Sequence, residues 1–229
     1  MHIPDGYLGP QTYAAAYAAV APFWIAASRK LNRSLRSRQV PLLALGAAFC
    51  FVIMMFNIPI GVTTGHAVGA VLAAILLGPW AACIAVSIAL IVQALLFGDG
   101  GITAIGANCV NMAIIMPFAG YWVYRLIAGR SSFTSKRRVV AAGVGGYVGL
   151  NLAALATAFE IGIQPIIARD ATGLAGYSPY SLKLAVPAMV GMHLFLGIVE
   201  ALVTGLVVAY IQRIDVSMLF GYSTNGDKK

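Results

Sequence analysis

Seven apolar runs, separated by short polar or glycine-rich stretches, make up most of the chain. Their bounds are residues 12–27, 40–56, 67–77, 81–97, 107–127, 139–159 and 184–211. A helix that crosses a bilayer needs about 20 apolar residues, and most of the runs come near that length, whereas the third does not. The short third run predicts a helix that is sheltered by protein rather than by lipid.

Basic residues fall in two main clusters that set the predicted topology. One cluster follows the first run and the other surrounds the end of the fifth, and their members are Arg29, Lys30, Arg33, Arg36 and Arg38, and Arg125, Arg130, Lys136, Arg137 and Arg138. Both clusters are cytoplasmic, as the positive-inside rule requires, if residues 67–97 cross twice with a turn at Gly78, Pro79 and Trp80. The pattern therefore predicts an all-α integral membrane protein of seven transmembrane helices, with the N-terminus outside and the C-terminus cytoplasmic.

Composition agrees with that class. Sixty per cent of the residues are hydrophobic and 10% are charged, with a mean hydropathy of +0.87, which excludes a soluble protein and predicts a multi-pass protein of the cell membrane. The net charge of +8 lies in clusters between apolar runs and indicates topology rather than nucleic-acid binding. We expect a single transmembrane domain over residues 1–229, with an extracellular segment at 1–10, a helix bundle at 11–212 and a cytoplasmic tail at 213–229.

The first two residues, Met1 and His2, form a potential chelate. The stretch lacks the features of a secretory leader, so we expect Met1 to be the mature N-terminus. The α-amine, the deprotonated amide nitrogen of His2 and the Nδ1 atom of its ring would then place three nitrogens in one plane. A planar nitrogen field suits Ni(II) or Cu(II). Taken alone, however, the two residues are also compatible with a terminus that has no role.

His66 is the candidate for a fourth nitrogen, because the predicted topology places it on the same side as Met1. Thr63 and Thr64 precede it, and their hydroxyls are candidates to orient its ring. A boundary histidine satisfied by water is the alternative. Asn108 and Asn111 lie three residues apart near the outer end of the fifth helix. Their amides either hold the N-terminal segment or join neighbouring helices.

Two further features have open interpretations. His193 and Glu200 lie seven residues apart on the last helix, where ionisable groups indicate a proton relay or an ion path, or a buried hydrogen bond that fixes helix packing. Small residues, Ala44 and Ala48 among them, allow close helix contacts inside the bundle or with a partner. The glycine-rich stretch at 98–106 lacks a Gly-Lys-Ser/Thr ending and a preceding strand, so it does not indicate nucleotide binding.

Several spaced motifs resemble one family. Residues 1–8 (MHIPDGYL), 66–69 (HAVG) leading to 76–80 (LLGPW), 93–101 (QALLFGDGG) and 106–112 (GANCVNM) are similar to the NikM/CbiM family, the substrate-specific S components of energy-coupling factor transporters for nickel and cobalt. The resemblance implies a planar four-nitrogen site from Met1, His2 and His66 that captures Ni(II) for ATP-driven uptake. Pro4 and Asp5 resemble the nickel branch, and Co(II) is the alternative cargo.

The resemblance also implies a set of partners. These are a transmembrane coupling (T) protein, cytoplasmic ATPase subunits and a small accessory membrane protein, with the face around Ala44 and Ala48 resembling the surface that contacts the coupling protein. The sequence contains no Walker motif, so we expect a non-enzymatic subunit whose partners hydrolyse ATP. The alternatives are a cobalt-specific S component and a proton-coupled secondary transporter organised around His193 and Glu200. An intramembrane hydrolase ranks last, because no serine or cysteine nucleophile pairs with a histidine.

Overall fold

The computed structural model describes residues 1–34, 40–60, 63–169 and 176–222, with the backbone alone at Ser34, Ile60, Thr63 and Thr64. Arg36 and Arg38 of the first basic cluster, Gly61 and residues 223–229 of the expected tail lie outside the described residues. The helices are α1 (Pro10–Ser34), α2 (Val40–Met55), α3 (Ala70–Leu77), α4 (Pro79–Phe97), α5 (Ile105–Ala128), α6 (Lys136–Ile167) and α7 (Leu182–Ile214). Each predicted apolar run thus corresponds to one helix of the described part.

Four of the described helices, α4 to α7, are long and apolar enough to cross a membrane. The mostly helical, multi-span class is therefore confirmed. The number of crossings and the side on which each terminus lies stay predictions. Helices α4 and α5 each contain a π-helical stretch, Gln93–Phe97 and Val110–Ile115, and such stretches occur often at functional sites.

The short helix α3 is enclosed by the rest of the bundle, as its length predicted. Residues 70–75 are all buried. Helix α3 ends at Leu77 and α4 begins at Pro79, so the predicted turn is confirmed. Gly78 makes this turn at a φ of 87°, and a Cβ there would lie 2.8 Å from the ring of Phe220. The N–H of Phe220 donates to the carbonyl of Ile75 at 2.9 Å, so the chain after α7 packs over the C-terminal end of α3.

Helices α5 and α6 approach closely through glycines. A Cβ at Gly145 would lie 2.6 Å from the carbonyl oxygen of Gly120, and a Cβ at Gly149 would lie 2.8 Å from that of Met116. The small residues of α6 therefore serve internal packing. Ala44 and Ala48 are instead exposed on α2, where they line an apolar groove with Phe51 and with residues of α4.

A short antiparallel hairpin precedes α3 and was not predicted from the sequence. Strand β1 (Ile58–Ile60) pairs with β2 (Thr63–Gly65), with Ile58 opposite Gly65. The strands are too short for a recognisable alternation of polar and apolar residues. The hairpin ends at Gly65, and residues 66–69, which have no regular secondary structure, then lead into α3.

Candidate metal centre

The N-terminal segment is inserted into the protein rather than lying on its surface. Met1 is 8% exposed and Ile3 is completely buried. The N–H of Ile3 donates to Oδ1 of Asn108 at 2.9 Å, and Nδ2 of Asn108 donates back to the carbonyl of Ile3 at 3.2 Å. The N–H of Gly101 donates to the same carbonyl at 2.8 Å. Asn108 therefore holds the N-terminal segment, one of the two roles expected for it.

Asp5 fixes the next part of the segment to the loop between α4 and α5. Its carboxylate accepts hydrogen bonds from the N–H groups of Ile102 (3.0 Å) and Thr103 (2.8 Å) and from the Thr103 hydroxyl (2.5 Å). The Thr103 hydroxyl, followed by these amides, lowers the pKa of Asp5 below its usual value. A Cβ at Gly101 would collide with the backbone nitrogen of Asp5, so the segment lies against the loop only because this position is glycine.

The rings of His2 and His66 stack, with centroids 4.8 Å apart and planes inclined by 29°. Nδ1 of His66 lies 3.0 Å from the carbonyl oxygen of Ala67. Because a carbonyl can only accept, Nδ1 carries the proton and the lone pair of His66 is on Nε2. The Nε2 atoms of both rings are buried and have no hydrogen-bond partner among the described residues. The two histidines that the sequence singled out are thus brought together.

Asp99 contacts His2 in a way that sequence reasoning did not anticipate. Its Oδ1 atom lies 3.2 Å from Nδ1 of His2, the atom expected to chelate, and about one third of the Asp99 side chain is exposed. The hydrogen bond from His2 lowers the pKa of Asp99, so this carboxylate is ionised. The one sequence signal for this contact was the position of Asp99 in the glycine-rich loop, which the predicted topology placed on the same side as Met1.

Burial sets the protonation of the other groups. It lowers the pKa of the Met1 α-amine from 8.0 to about 6, against the opposing attraction of Asp99. Burial, together with the charge of that amine, also keeps the pKa of His66 well below its usual value. At neutral pH the amine and the His66 ring are therefore mostly uncharged, with lone pairs available.

Side chains alone do not make a metal site here. Within the described ranges, no group of three or more His, Cys, Asp or Glu side chains is arranged to hold a metal ion. A metal bound between His2 and His66 would therefore need further donors from the main chain. The nearby α-amine of Met1 and the amide nitrogen of His2 are donors of that kind.

Asn111 has its partners away from this arrangement. Nδ2 of Asn111 donates to Glu160 (2.6 Å) and Thr157 (3.1 Å) on α6, so its amide joins helices rather than holding the N-terminal segment. Three residues along a helix correspond to a rotation of about 60° around its axis, which lets Asn108 and Asn111 face different neighbours. The side chains of Thr63 and Thr64 lie outside the described part of the chain.

His193 and Glu200, both on α7, have separate hydrogen-bond partners. Nδ1 of His193 donates to the carbonyl of Met189 at 2.7 Å, and its buried Nε2 has no hydrogen-bond partner in the described part of the chain. The carboxylate of Glu200 accepts from the N–H groups of Val68 at 2.7 Å and Gly69 at 3.0 Å. Of the two interpretations of Glu200, the structure thus shows the buried hydrogen bond. Its partner is the backbone of Val68 and Gly69 and not His193.

Comparison with known proteins gives consistent matches. A family model described as CbiM, cobalt uptake substrate-specific transmembrane region, matches residues 2–218. The "Fused nickel transport protein NikMN" of Rhodobacter capsulatus is 53% identical over 221 residues, which are 96% of this chain and 64% of that protein. The "Probable fused nickel transport protein LarMN" of Lactiplantibacillus plantarum is 45% identical over 100% of this chain and 70% of its own length.

A solved structure matches as well. The "Crystal Structure of an Truncated Transition metal Transporter" has a TM-score of 0.87 and 53% sequence identity, and the match covers 93% of this chain and 99% of that one. With the apolar helices, these relatives identify a multi-pass membrane protein. The chain spans only 64% of the length of the Rhodobacter protein.

Replacing Asn108 by alanine is expected to release the N-terminal segment. Two hydrogen bonds to Ile3 are lost, and at about 1 kcal/mol each the open population of the segment rises roughly thirtyfold. The measurement is the rate at which an amine-reactive reagent labels the α-amine of Met1, followed by peptide mass spectrometry. Asn151→Ala is the control, since the Asn151 amide donates to the Tyr147 carbonyl within α6. Equal labelling rates in the two variants would contradict the assigned role of Asn108.

Proposed function

The chain belongs to the CbiM family of substrate-specific transmembrane transport components, and from that premise we propose that it captures Ni(II) for uptake by an energy-coupling factor transporter. The observation that carries the proposal is the buried pair of rings, His2 and His66, beside the α-amine of Met1. All of the donors in this group are nitrogens. Such a set suits late divalent transition metals and not Mg²⁺ or Ca²⁺.

The proposed ligands are the Met1 amine, the deprotonated amide nitrogen of His2, Nδ1 of His2 and Nε2 of His66. The first three close a five-membered and a six-membered ring around the ion, and His66 completes a square. Nδ1 of His2 exchanges its contact with Asp99 for the metal. The charge of Asp99 then supports binding, because the dication, the amidate and this carboxylate sum to zero in a site that is mostly buried.

Nickel is proposed over cobalt on the geometry of the donors. Four nitrogens in one plane favour low-spin Ni(II), and the two relatives compared above are described as nickel transport proteins. The description of the family model names cobalt, so a cobalt-specific S component is the second candidate. Competition between Ni(II) and Co(II) for the purified protein separates the two candidates, since each predicts tighter binding of its own metal.

ATP-driven coupling is proposed to come from other chains. The sequence has no Walker motif, so a coupling protein and ATPase subunits, with a small accessory membrane protein, are the inferred partners. The exposed small residues Ala44 and Ala48 support a contact with the coupling protein at α2. The rival proton-coupled mechanism loses support, because the carboxylate of Glu200 is occupied by the backbone of Val68 and Gly69.

Blocking the α-amine is expected to abolish tight nickel binding. Acetylation of Met1 removes a donor and breaks the five-membered ring, so we expect the Kd to rise at least about a hundredfold. Isothermal titration with Ni(II) in detergent measures this change. The matched control is the same protein with its amine left free, purified in parallel. Unchanged affinity in the blocked protein would rule out the amine as a ligand.

Nickel affinity is expected to fall as the pH drops, with one slope above about pH 6 and a steeper one below it. Above about pH 6 the Met1 amine is neutral and gives up no proton on binding, whereas the His2 amide does, so affinity changes by at least about tenfold per pH unit. Below about pH 6 the amine must also lose a proton, and the dependence steepens to about a hundredfold per unit. Competition titrations between pH 5 and 8, with the chelator's own protonation corrected, measure the two slopes. A single slope across pH 6 would contradict the assignment of the amine.

A further inference from the structure

The stretch of residues 66–69, which carries His66 to α3, is held by a buried carboxylate. Glu200 is completely buried in the middle of α7. Its Oε2 atom accepts from the N–H of Val68 at 2.7 Å, and its Oε1 and Oε2 atoms accept from the N–H of Gly69 at 3.0 and 3.2 Å. Two successive backbone donors therefore converge on one side chain from another helix.

These two N–H groups depend on Glu200 for their hydrogen bonds. Gly69 is the residue that caps α3, and as a glycine it has no side chain that could accept a hydrogen bond from the first turn of that helix. Gly69 adopts a left-handed φ of 73°, and a Cβ there would lie 2.6 Å from the ring of Phe49, so the backbone path is tightly confined. Donors left without an acceptor in such a buried place are costly, and the positive end of α3 favours an anion there.

The same face of α7 also contacts the backbone just before His66. A Cβ at Gly65 would collide with the side chain of Leu196. Leu196 lies four residues before Glu200, and thus on the same side of the helix. Helix α7 therefore contacts the chain on both sides of His66, by packing against Gly65 and by hydrogen bonds to Val68 and Gly69.

We propose that Glu200 is a positioning residue for nickel capture, which holds the backbone of Val68 and Gly69 so that the His66 ring lies beside His2. This inference rests on the proposed function, because it assigns Glu200 a role through the fourth nitrogen ligand. A role in packing alone would need only a side chain of similar volume in contact with a neighbouring helix. The contacts of Glu200 go instead to the backbone of an irregular stretch, two and three residues after His66.

A double-mutant cycle with nickel tests this role. Glu200→Gln keeps the volume but puts an NH₂ group against one of the backbone donors, so we expect the Kd for Ni(II) to rise roughly tenfold to a hundredfold. The visible absorption of the nickel complex should shift towards that of His66→Ala, because the Met1 and His2 donors stay in place. In the His66→Ala background, Glu200→Gln should cause no further loss. Additive losses would contradict a role exercised through His66.

Thr204→Val is the matched control, since Thr204 is a buried residue one turn further along α7. It should leave the affinity and the spectrum unchanged. If Glu200→Gln does not yield folded protein by size-exclusion chromatography, Leu196→Ala is used instead. The Leu196→Ala substitution removes the packing against Gly65, just before His66, and should shift the spectrum in the same direction. Wild-type affinity and spectrum in the folded variant would overturn the inference. Failure of the wild-type protein to form a four-nitrogen complex would instead overturn the proposed function.

Discussion

The grouping of Met1, His2 and His66 depends on a chain terminus that is buried while the polar groups of its backbone keep hydrogen-bond partners. An N-terminal segment inserted among membrane helices must find hydrogen-bond partners, because lipid offers none. Asn108 supplies an acceptor and a donor to Ile3, and Gly101 supplies a second donor. Since these bonds fix residue 3, they also limit where Met1 and His2 can lie. The glycine at 101 is part of the same constraint, because any side chain there would occupy the path of the segment.

Burial of the terminus has an electrostatic consequence that suits the capture of a cation. The amine and the His66 ring are mostly uncharged at neutral pH, because burial penalises their protonated forms. They offer lone pairs without the repulsion that bound protons would cause. Asp99 is the ionised neighbour of this group, in contact with His2 and partly open to solvent. A dication entering the site therefore meets neutral donors and one negative charge.

The sequence predicted the helices and the turn at Gly78, because apolar runs and basic clusters reflect the membrane directly. It also predicted that His66 and Asn108 would lie near the N-terminal segment, since the topology put them on one side. It did not predict the contact of Asp99 with His2 or the two backbone groups that Glu200 contacts, and it left open which of two roles Asn111 would take. These pairings join residues between 46 and 132 positions apart, and depend on side-chain directions that local patterns do not encode. The hairpin before His66 was missed because each of its strands has only three residues.

The proposed capture of nickel by four nitrogens is tested most directly by the electronic state of the bound ion. Purified protein in detergent is loaded with one equivalent of Ni(II), and its visible absorption and magnetic susceptibility are measured near neutral pH. The account predicts a yellow, diamagnetic complex with a d–d band, because a planar field of strong nitrogen donors pairs the electrons of Ni(II). A paramagnetic complex with the weak absorption of octahedral Ni(II) would contradict it.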